Sequence, residues 1–459
     1  MDGPVSYYGT LLQRQSCGTL SRPTPPRKRS HPLTSATATK TWDLYSEPRR
    51  WVLLFVLFLV TTSSYVDRNI IGVLLQPIKE EFHVSDTMLG LLSGLSFAMF
   101  YATLGVPMAR WADRGDRRFI ITISLVVWSV MTALCGMAQS FWQLALARIG
   151  VGAGEAGGIP PGQSLVADYF SPERRGKALS AFLMAAMAGY IIGIVLGGQL
   201  AQHYGWRTAF LVVGIPGLLL AVITRLVLHE PRHLPQFAVK PANYEPVGTA
   251  FRALRSKPAF VNILIAIVLY FLIAYGALVF LIPYMVRGFG MTVGAASAMY
   301  GTVSTVGALI GTPIGGGLVD RLAKRDIVWN ARFPGYGLIL GFVLYEVAFL
   351  MPTPTLMMGV LFGGGLLLNG AVPAMFAALH VICGSKRRAM AVAIVFFFAN
   401  LIGTGLGPII AGALSDAYGA TAGPGTGLKY AMMTVTLLFL PCGFYMLRAA
   451  RTLRADIEA

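Results

Sequence analysis

Apolar stretches of roughly 18 or more residues, the length that predicts a membrane-spanning helix, recur through most of this chain after residue 50. Each stretch is long enough to cross about 30 Å of hydrocarbon as an α-helix. Of the 459 residues, 55% are hydrophobic and only 12% are charged, which excludes a soluble domain of this size. The pattern therefore predicts an all-α membrane protein.

The apolar stretches predict twelve transmembrane helices in two six-helix bundles. We expect the bundles at residues 46–228 and 259–450, a cytoplasmic linker with a short amphipathic segment at 229–258, a disordered cytoplasmic tail at 1–45 and a second tail at 451–459. The helices are predicted near residues 51–76, 87–109, 118–138, 142–168, 176–202, 208–228, 259–286, 292–318, 333–352, 355–381, 389–415 and 428–448.

The basic residues predict the orientation. If the N-terminus is cytoplasmic, the inner segments hold 31 of the 37 Lys and Arg residues, whereas the outer loops hold only Lys79, Arg207, Arg287 and Lys429. Cytoplasmic loops of membrane proteins carry such an excess, so we expect a multi-pass protein of the cell (inner) membrane with both termini in the cytoplasm. Because the net charge of +17 is spread over these loops, we expect membrane lipids as partners and no nucleic acid.

Motifs of catalysis and cofactor binding are not found in the sequence. Its four cysteines form no CxxC pattern, and its six histidines are scattered, so a metal site is not indicated. The glycine run at 150–154 lies inside a predicted helix without a preceding strand, which argues against a phosphate-binding loop. We therefore expect no enzyme activity and no cofactor, with an integral-membrane enzyme as the alternative class.

The two halves of the chain repeat the same motifs. Gly105–Arg118 contains Gly-x-Pro, then Asp-Arg, then a basic pair, and Gly311–Arg325 repeats that order. Arg174–Gly205 and Arg387–Gly419 both begin with two arginines, are rich in glycine and end in Tyr-Gly. A parallel repeat of six helices predicts two bundles related by an axis along the membrane normal, as in one large class of secondary transporters.

These motifs resemble those of a known superfamily. Gly105–Arg118 is similar to the loop signature between helices 2 and 3 of major facilitator transporters, and the segment from Arg148 to Ala156 resembles their helix 4 signature. Tyr65-Val-Asp67-Arg68 and Gly154-Glu155-Ala156 resemble the Spinster branch, here in a bacterial-type form. That resemblance implies export of lysophospholipids or sphingosine-1-phosphate-type lipids, with proton coupling. The Asp-Arg pair also resembles that of organic-anion symporters.

Four ionisable residues interrupt the predicted helices 1 and 4: Asp67, Arg68, Arg148 and Glu155. A charge in the membrane interior costs several kcal/mol unless it is paired or hydrated. Counting residues along the two helices places Asp67, Arg68 and Arg148 at a similar depth and Glu155 about 10 Å deeper, on the same helix face as Arg148. We expect the four to form one nominally neutral cluster at a central cavity. We predict that the arginines bind an anionic headgroup and that the acids carry protons. The alternative is a static salt-bridge network between the helices.

Two further groups complete the predicted site. Tyr65 and Asn400 are candidates for substrate binding, and Asp113, Arg114 and Arg117 are candidates for a charge lock that stabilises the outward-open state. Asp320 and Arg321 would be the second-half copy of that lock, and ordinary cytoplasmic retention is the alternative for all five. The second half has no counterpart of Arg148, so its cavity face should be apolar, with these candidates: Tyr270, Tyr275, Phe280, Phe396, Phe397, Phe398 and Asn400.

The combined prediction is a monomeric secondary transporter that works by alternating access. Its substrate would be an amphipathic lysolipid or sphingolipid-like anion, and the proton would be the coupling ion. A proton- or sodium-coupled symporter of small organic anions is the alternative.

Overall fold

The computed structural model describes residues 40–234, 237 and 247–458. Seventeen α-helices account for most of them. They are α1 Glu47–Phe82, α2 Asp86–Ser93, α3 Leu95–Arg114, α4 Arg117–Met137, α5 Phe141–Glu155, α6 Ile159–Tyr169, α7 Pro172–Ile191, α8 Gly197–Val227, α9 Val247–Arg255, α10 Pro258–Gly276, α11 Leu281–Phe289, α12 Val293–Ala323, α13 Trp329–Phe349, α14 Pro354–Phe398, α15 Gly405–Ala422, α16 Pro424–Thr436 and α17 Phe439–Glu458. Short π-helical turns at Ile192–Leu196 and Ala399–Thr404 join α7 to α8 and α14 to α15.

The helices form twelve membrane crossings in two sets of six, as predicted. Among the described residues, nine helical runs are long and apolar enough to span a membrane. One of them, Pro172–Val227, is 56 residues long and changes direction at Gly205, where φ is 81°, so it crosses twice. The pair α5–α6 and the helix α13 supply the remaining two crossings.

The fourth crossing is broken in the middle. We expected one helix over 142–168, but α5 ends at Glu155 and α6 begins at Ile159. Pro160 and Pro161 occupy the first turn of α6, where a missing N–H costs least. The break therefore leaves the Glu155 carboxylate at a helix end inside the bundle.

Close helix packing holds each half together. In the first half α1 packs on α7 and α8, and α4 packs on α5 and α8; in the second half α14 packs on α12 and α13, and α10 packs on α17. A methyl group on Gly217 would collide with the Ser129 hydroxyl. Small residues at such crossings let helix backbones approach, which drives association where lipid replaces water.

The two ends of the molecule differ in their contacts. Because twelve crossings bring the chain back to its starting side, Glu47 and Glu458 lie at one end, which we call the terminal end. The opposite end, which includes the turns at 83–85 and 290–292, we call the distal end.

The two predicted tails require correction. Residues 1–39 lie outside the described residues, but Thr41–Leu44 form a 3-10 helix, and the Thr41 hydroxyl donates to the Asp168 carbonyl. Residues 451–458 are the last turns of α17 rather than a tail. Leu453 is fully buried there, and the Asp456 carboxylate accepts from the Ala259 N–H at 2.6 Å. Buried side chains and capping hydrogen bonds thus keep the chain folded beyond the ends of the apolar stretches.

A buried arginine organises the terminal end of the first half. Arg117 donates from Nε and Nη2 to the two carboxylate oxygens of Glu230, at 2.9 and 2.5 Å. Its Nη2 also lies 2.7 Å from Asp168, and its Nη1 donates to Ser164. Burial would raise the pKa of Glu230, but the hydrogen bonds and the charge of Arg117 hold that pKa below its ordinary value. The network joins α4, α6 and the segment after α8.

Replacement of Arg117 should therefore weaken the fold. Arg117→Met leaves the Glu230 carboxylate buried without its cation, which typically costs about 3–5 kcal/mol. The free energy of unfolding, measured by denaturant titration in detergent, should fall by that amount. Arg114→Met, at an exposed arginine three residues away, should change it by less than about 0.5 kcal/mol. Equal losses in the two variants would contradict this assignment.

Candidate functional site

A cavity of about 470 Å³ lies between the two halves, lined by residues from both. Most of its lining is aliphatic or aromatic. Two of the lining residues are charged, Arg68 on α1 and Arg148 on α5. Two cations in an apolar cavity at membrane depth make this the candidate functional site.

Arg68 is held by a carboxylate and three aromatic rings. Its Nη2 donates to Glu155 Oε2 at 2.9 Å, and 13% of its side chain is exposed. The guanidinium carbon lies 5.2 Å from the ring centroid of Tyr65, 4.9 Å from that of Phe97 and 4.5 Å from that of Tyr101. Cation–π contacts of this kind stabilise a partly desolvated charge. The side chain is thus fixed at the cavity wall before any ligand arrives.

Glu155 uses one carboxylate oxygen for all its contacts. Its Oε2 accepts from Arg68 and, at 2.9 Å, from the Ser64 hydroxyl. Its Oε1 is buried and has no hydrogen-bond partner among the described residues. A buried acceptor without a partner is costly, so this oxygen is available to a hydrogen-bond donor.

Arg148 and Asp67 meet through the backbone rather than through their charges. Arg148 Nη1 donates to the Asp67 carbonyl oxygen at 3.2 Å, and its guanidinium carbon lies 5.4 Å from the Phe97 ring centroid. The Asp67 side chain is fully buried, and neither carboxylate oxygen has a partner among the described residues. The four predicted residues are therefore together, but only Arg68 and Glu155 form an ion pair.

Only some of the other predicted binding residues line the cavity. Tyr65, Tyr270 and Tyr275 line the cavity. Asn400 is not among the lining residues; its amide donates to the Phe396 carbonyl in the last turn of α14, so this geometry gives its predicted role no support. The prediction that the second half presents an apolar face to the cavity is wrong. Its helices also place polar residues there: Tyr300, Ser304, Thr305, Tyr345, Asn369 and Thr404.

The predicted switch residues lie at the terminal end. Asp113, Arg114, Asp320 and Arg321 are exposed near the ends of α3 and α12. Arg117, in contrast, is buried in the network within the first half. The role of these five residues as a lock of the outward-open state stays a prediction.

At the distal end, Asp86 ties the two halves together. Its carboxylate accepts from Arg287 of the second half at 2.7 and 2.9 Å and from Ser415 at 2.7 Å. Lys79 donates to the same carboxylate at 2.6 Å, and Arg287 Nε donates to Gln76 at 2.5 Å. We call this set the distal latch; it links α1 and α2 to α11 and α15.

A second carboxylate reinforces the distal latch. Asp416 on α15 accepts from the N–H groups of Asp86 and Thr87, both at 2.9 Å, and from the Thr87 hydroxyl at 2.6 Å. These N–H groups begin α2, so a side chain of one half caps a helix of the other. A methyl group on Gly412 would collide with the Asp86 carbonyl, and one on Gly90 with that of Pro408. The distal end is therefore closed by polar bonds and by close backbone contact.

Sequence reasoning missed the distal latch. Asp86 falls where a loop was expected, and Arg287 was counted only as an outer basic residue. Gly90 on α2 and Gly412 on α15, each in close contact with the backbone of the other helix, were the available signal, but pairing the helices required the three-dimensional arrangement.

The fold and the site together define a class of protein. Two repeated six-helix bundles, closed at one end around a central cavity with buried charges, are the architecture of a secondary membrane transporter.

Comparison with known proteins identifies the family. Residues 57–345 match the Major Facilitator Superfamily model, and an MFS-type efflux pump of Mycolicibacterium smegmatis is 33% identical over 431 residues, covering 91% of this chain and 96% of that protein. The chain belongs to the Major Facilitator Superfamily, whose members are transporters and not enzymes.

Structural comparison supports the narrower resemblance. The crystal structure of a bacterial homologue of the human lysosomal transporter Spinster, in an inward-facing and unoccupied conformation, has a TM-score of 0.81 and 30% identity and covers 90% of this chain and 99% of that chain. A probable L-galactonate transporter of Escherichia coli is 29% identical over 41% of this chain and 42% of that protein. The chain is thus related to Spinster and to organic-anion transporters.

Loss of the distal latch should open the distal end. Asp86→Asn leaves Arg287 and Lys79 without their carboxylate, and the loss of a buried charge partner costs about 2–5 kcal/mol. Because only the closed state bears this cost, the ratio of distal-open to distal-closed molecules should rise at least about tenfold.

Spin-label distances between Gln139→Cys and Thr421→Cys, two exposed distal positions, would measure this ratio. Glu81→Gln is the matched control, because Glu81 pairs with Arg207 at the same end but within one half. An unchanged distance distribution in Asp86→Asn, or an equal change in Glu81→Gln, would argue against the distal latch.

Proposed function

We propose that this protein is a monomeric secondary transporter that moves an amphipathic anion, of the lysolipid or sphingolipid-phosphate kind, across the cell membrane. The observation that carries the proposal is Arg148. Among the described residues, no carboxylate lies within ion-pair distance of its guanidinium, and Arg148, only 1% exposed, is among the residues that line a cavity with mostly apolar walls. A planar guanidinium in that position suits a phosphate or carboxylate, and the surrounding walls suit an alkyl chain.

Proton coupling is the second element of the proposal. An anion that binds Arg68 competes with Glu155, and a buried carboxylate that loses its cation favours protonation. Asp67 supports the same reading, because full burial without a hydrogen-bond partner favours the neutral acid. Anion entry and proton uptake would therefore occur together.

The conformation of the molecule, with one end closed, fits one step of alternating access. The distal latch closes one end, and the similar bacterial Spinster homologue is described as inward-facing. With the terminal end in the cytoplasm, as the basic loops predict, this protein would also face inward. A symporter of small organic anions is the second candidate, and the similarity of part of the chain to a probable L-galactonate transporter favours it.

Arg148→Met tests the anion site. Loss of a hydrogen bond to a charged group costs about 1.5–3 kcal/mol, so the Kd for hexadecyl phosphate should rise roughly tenfold to a hundredfold, measured with purified protein in detergent. Arg207→Met, at the distal surface, should leave the Kd unchanged. If Arg148→Met bound the anion as tightly as the wild type, the site would be misplaced.

The coupling test uses liposomes with an internal pH dye. Lysophospholipid or sphingosine-1-phosphate should drive proton movement through the wild type, and both Asp67→Asn and Glu155→Gln should abolish it. Glu346→Gln is the matched control: Glu346 is a membrane-embedded acid away from the cavity lining, where it accepts from the Thr436 hydroxyl at 2.6 Å. Its variant should retain the flux.

The remaining outcomes separate the candidates. Flux with galactarate or other small carboxylates but not with lipids would favour the organic-anion symporter. Lipid movement that is unchanged in both acid variants would mean that Asp67 and Glu155 only hold helices together.

A further inference from the structure

We propose that the cavity has a second, uncharged subsite, formed by Tyr190, Tyr300, Ser304 and Asn369, which binds a hydroxyl or carbonyl group of the substrate. This inference deepens the proposed function and rests on it, because it concerns the same cavity. It also narrows the substrate class: the ligand would be an anion that carries a neutral hydrogen-bonding group in addition to its charge.

The subsite bridges the two halves. Tyr190 lies on α7 of the first half, and Tyr300 and Ser304 lie on α12 of the second. The Tyr190 hydroxyl donates to Ser304 Oγ at 3.2 Å. All four residues line the cavity.

Some hydrogen-bonding atoms of the subsite remain available to a ligand. Ser304 has one proton, which it donates to the Tyr300 carbonyl at 2.7 Å, so its oxygen is left to accept from Tyr190. Asn369 donates one amide proton to the Gly365 carbonyl at 2.8 Å, which leaves its Oδ1 as an acceptor. The Tyr300 phenol is hydrogen-bonded to that of Tyr190. A phenol oxygen also accepts, so Tyr300 keeps an acceptor for a ligand, and Asn369 keeps a second amide proton beside its Oδ1.

Further phenols line this cavity. Tyr65, whose ring centroid lies 5.2 Å from the Arg68 guanidinium carbon, lines the same cavity as Tyr270, Tyr275 and Tyr345. The cavity that holds the arginines therefore carries several phenols besides those of the second subsite.

A purely structural role does not account for this arrangement. The contacts of Tyr190 with Ser304 and with the Tyr300 phenol tie α7 to α12, but they leave the Tyr300 phenol oxygen and Asn369 Oδ1 as acceptors at the cavity. Phenylalanine would fill the same space without the cost of desolvating a hydroxyl group. The charged lining residues all lie in the first half, so the second subsite suits a neutral group and disfavours a second ionised one.

Two ligand pairs test the subsite. 1-Palmitoyl lysophosphatidic acid and hexadecyl phosphate share a phosphate and a 16-carbon chain, but only the former has a hydroxyl group and an ester. Galactarate and adipate share two carboxylates on a six-carbon chain, but only the former has hydroxyl groups. Binding to the purified full chain is measured in one detergent for all four ligands.

We expect the wild type to bind the hydroxylated member of the accepted pair about tenfold more tightly, because a site built to bond a hydroxyl leaves its own polar groups unpaired with the analogue. Tyr300→Phe should reduce this ratio to about one without weakening the binding of hexadecyl phosphate or adipate. Tyr336→Phe, at a tyrosine on α13 that is 56% exposed, should keep the wild-type ratio.

The outcomes that overturn the two proposals differ. A wild-type ratio near one, or a ratio that Tyr300→Phe leaves unchanged, overturns the second subsite and leaves the anion site in place. Failure of the wild type to bind any of the four ligands overturns the proposed function and the subsite with it.

Discussion

The bond between Arg68 and Glu155 is the interaction on which the site depends. It joins the first crossing to the broken fourth one at a depth where an unpaired charge costs several kcal/mol. The break after Glu155 gives its carboxylate a position at a helix end, and three aromatic rings fix the guanidinium beside it. Because this pair neutralises itself, Arg148 can face the cavity as the remaining cation without a carboxylate of its own.

The hydrogen bonds and ion pairs described above act either within one half or between the two halves. Arg117 with Glu230 stabilises the first half from within, and Asp456 does the same in the second half by capping the start of α10. The bonds between the halves described here are concentrated in the distal latch, with the contact between Tyr190 and Ser304 nearer the cavity. Strong bonds within each half and a localised set between them are what rigid-body movement of the halves requires.

The sequence predicted the fold well because hydropathy, basic loops and internal repeats report directly on membrane crossings. It also predicted that Asp67, Arg68, Arg148 and Glu155 lie together, since charges inside apolar helices stand out; their roles stay predictions. It did not predict the distal latch or the hydroxyl groups of the second-half cavity face. Those depend on which helix faces lie opposite each other, and neither a serine nor a tyrosine in an apolar helix indicates by itself which way it points.

The division of charge between the halves bears on how a substrate could move them. If both halves held the ligand by ion pairs, opening the cavity would require breaking a charged bond in a partly dry site, which is costly. Neutral hydroxyl groups on α12 bind more weakly and exchange readily with water. A substrate anchored by the arginines of the first half and contacted by phenols of the second would link the halves while allowing them to separate, as repeated cycles of access require.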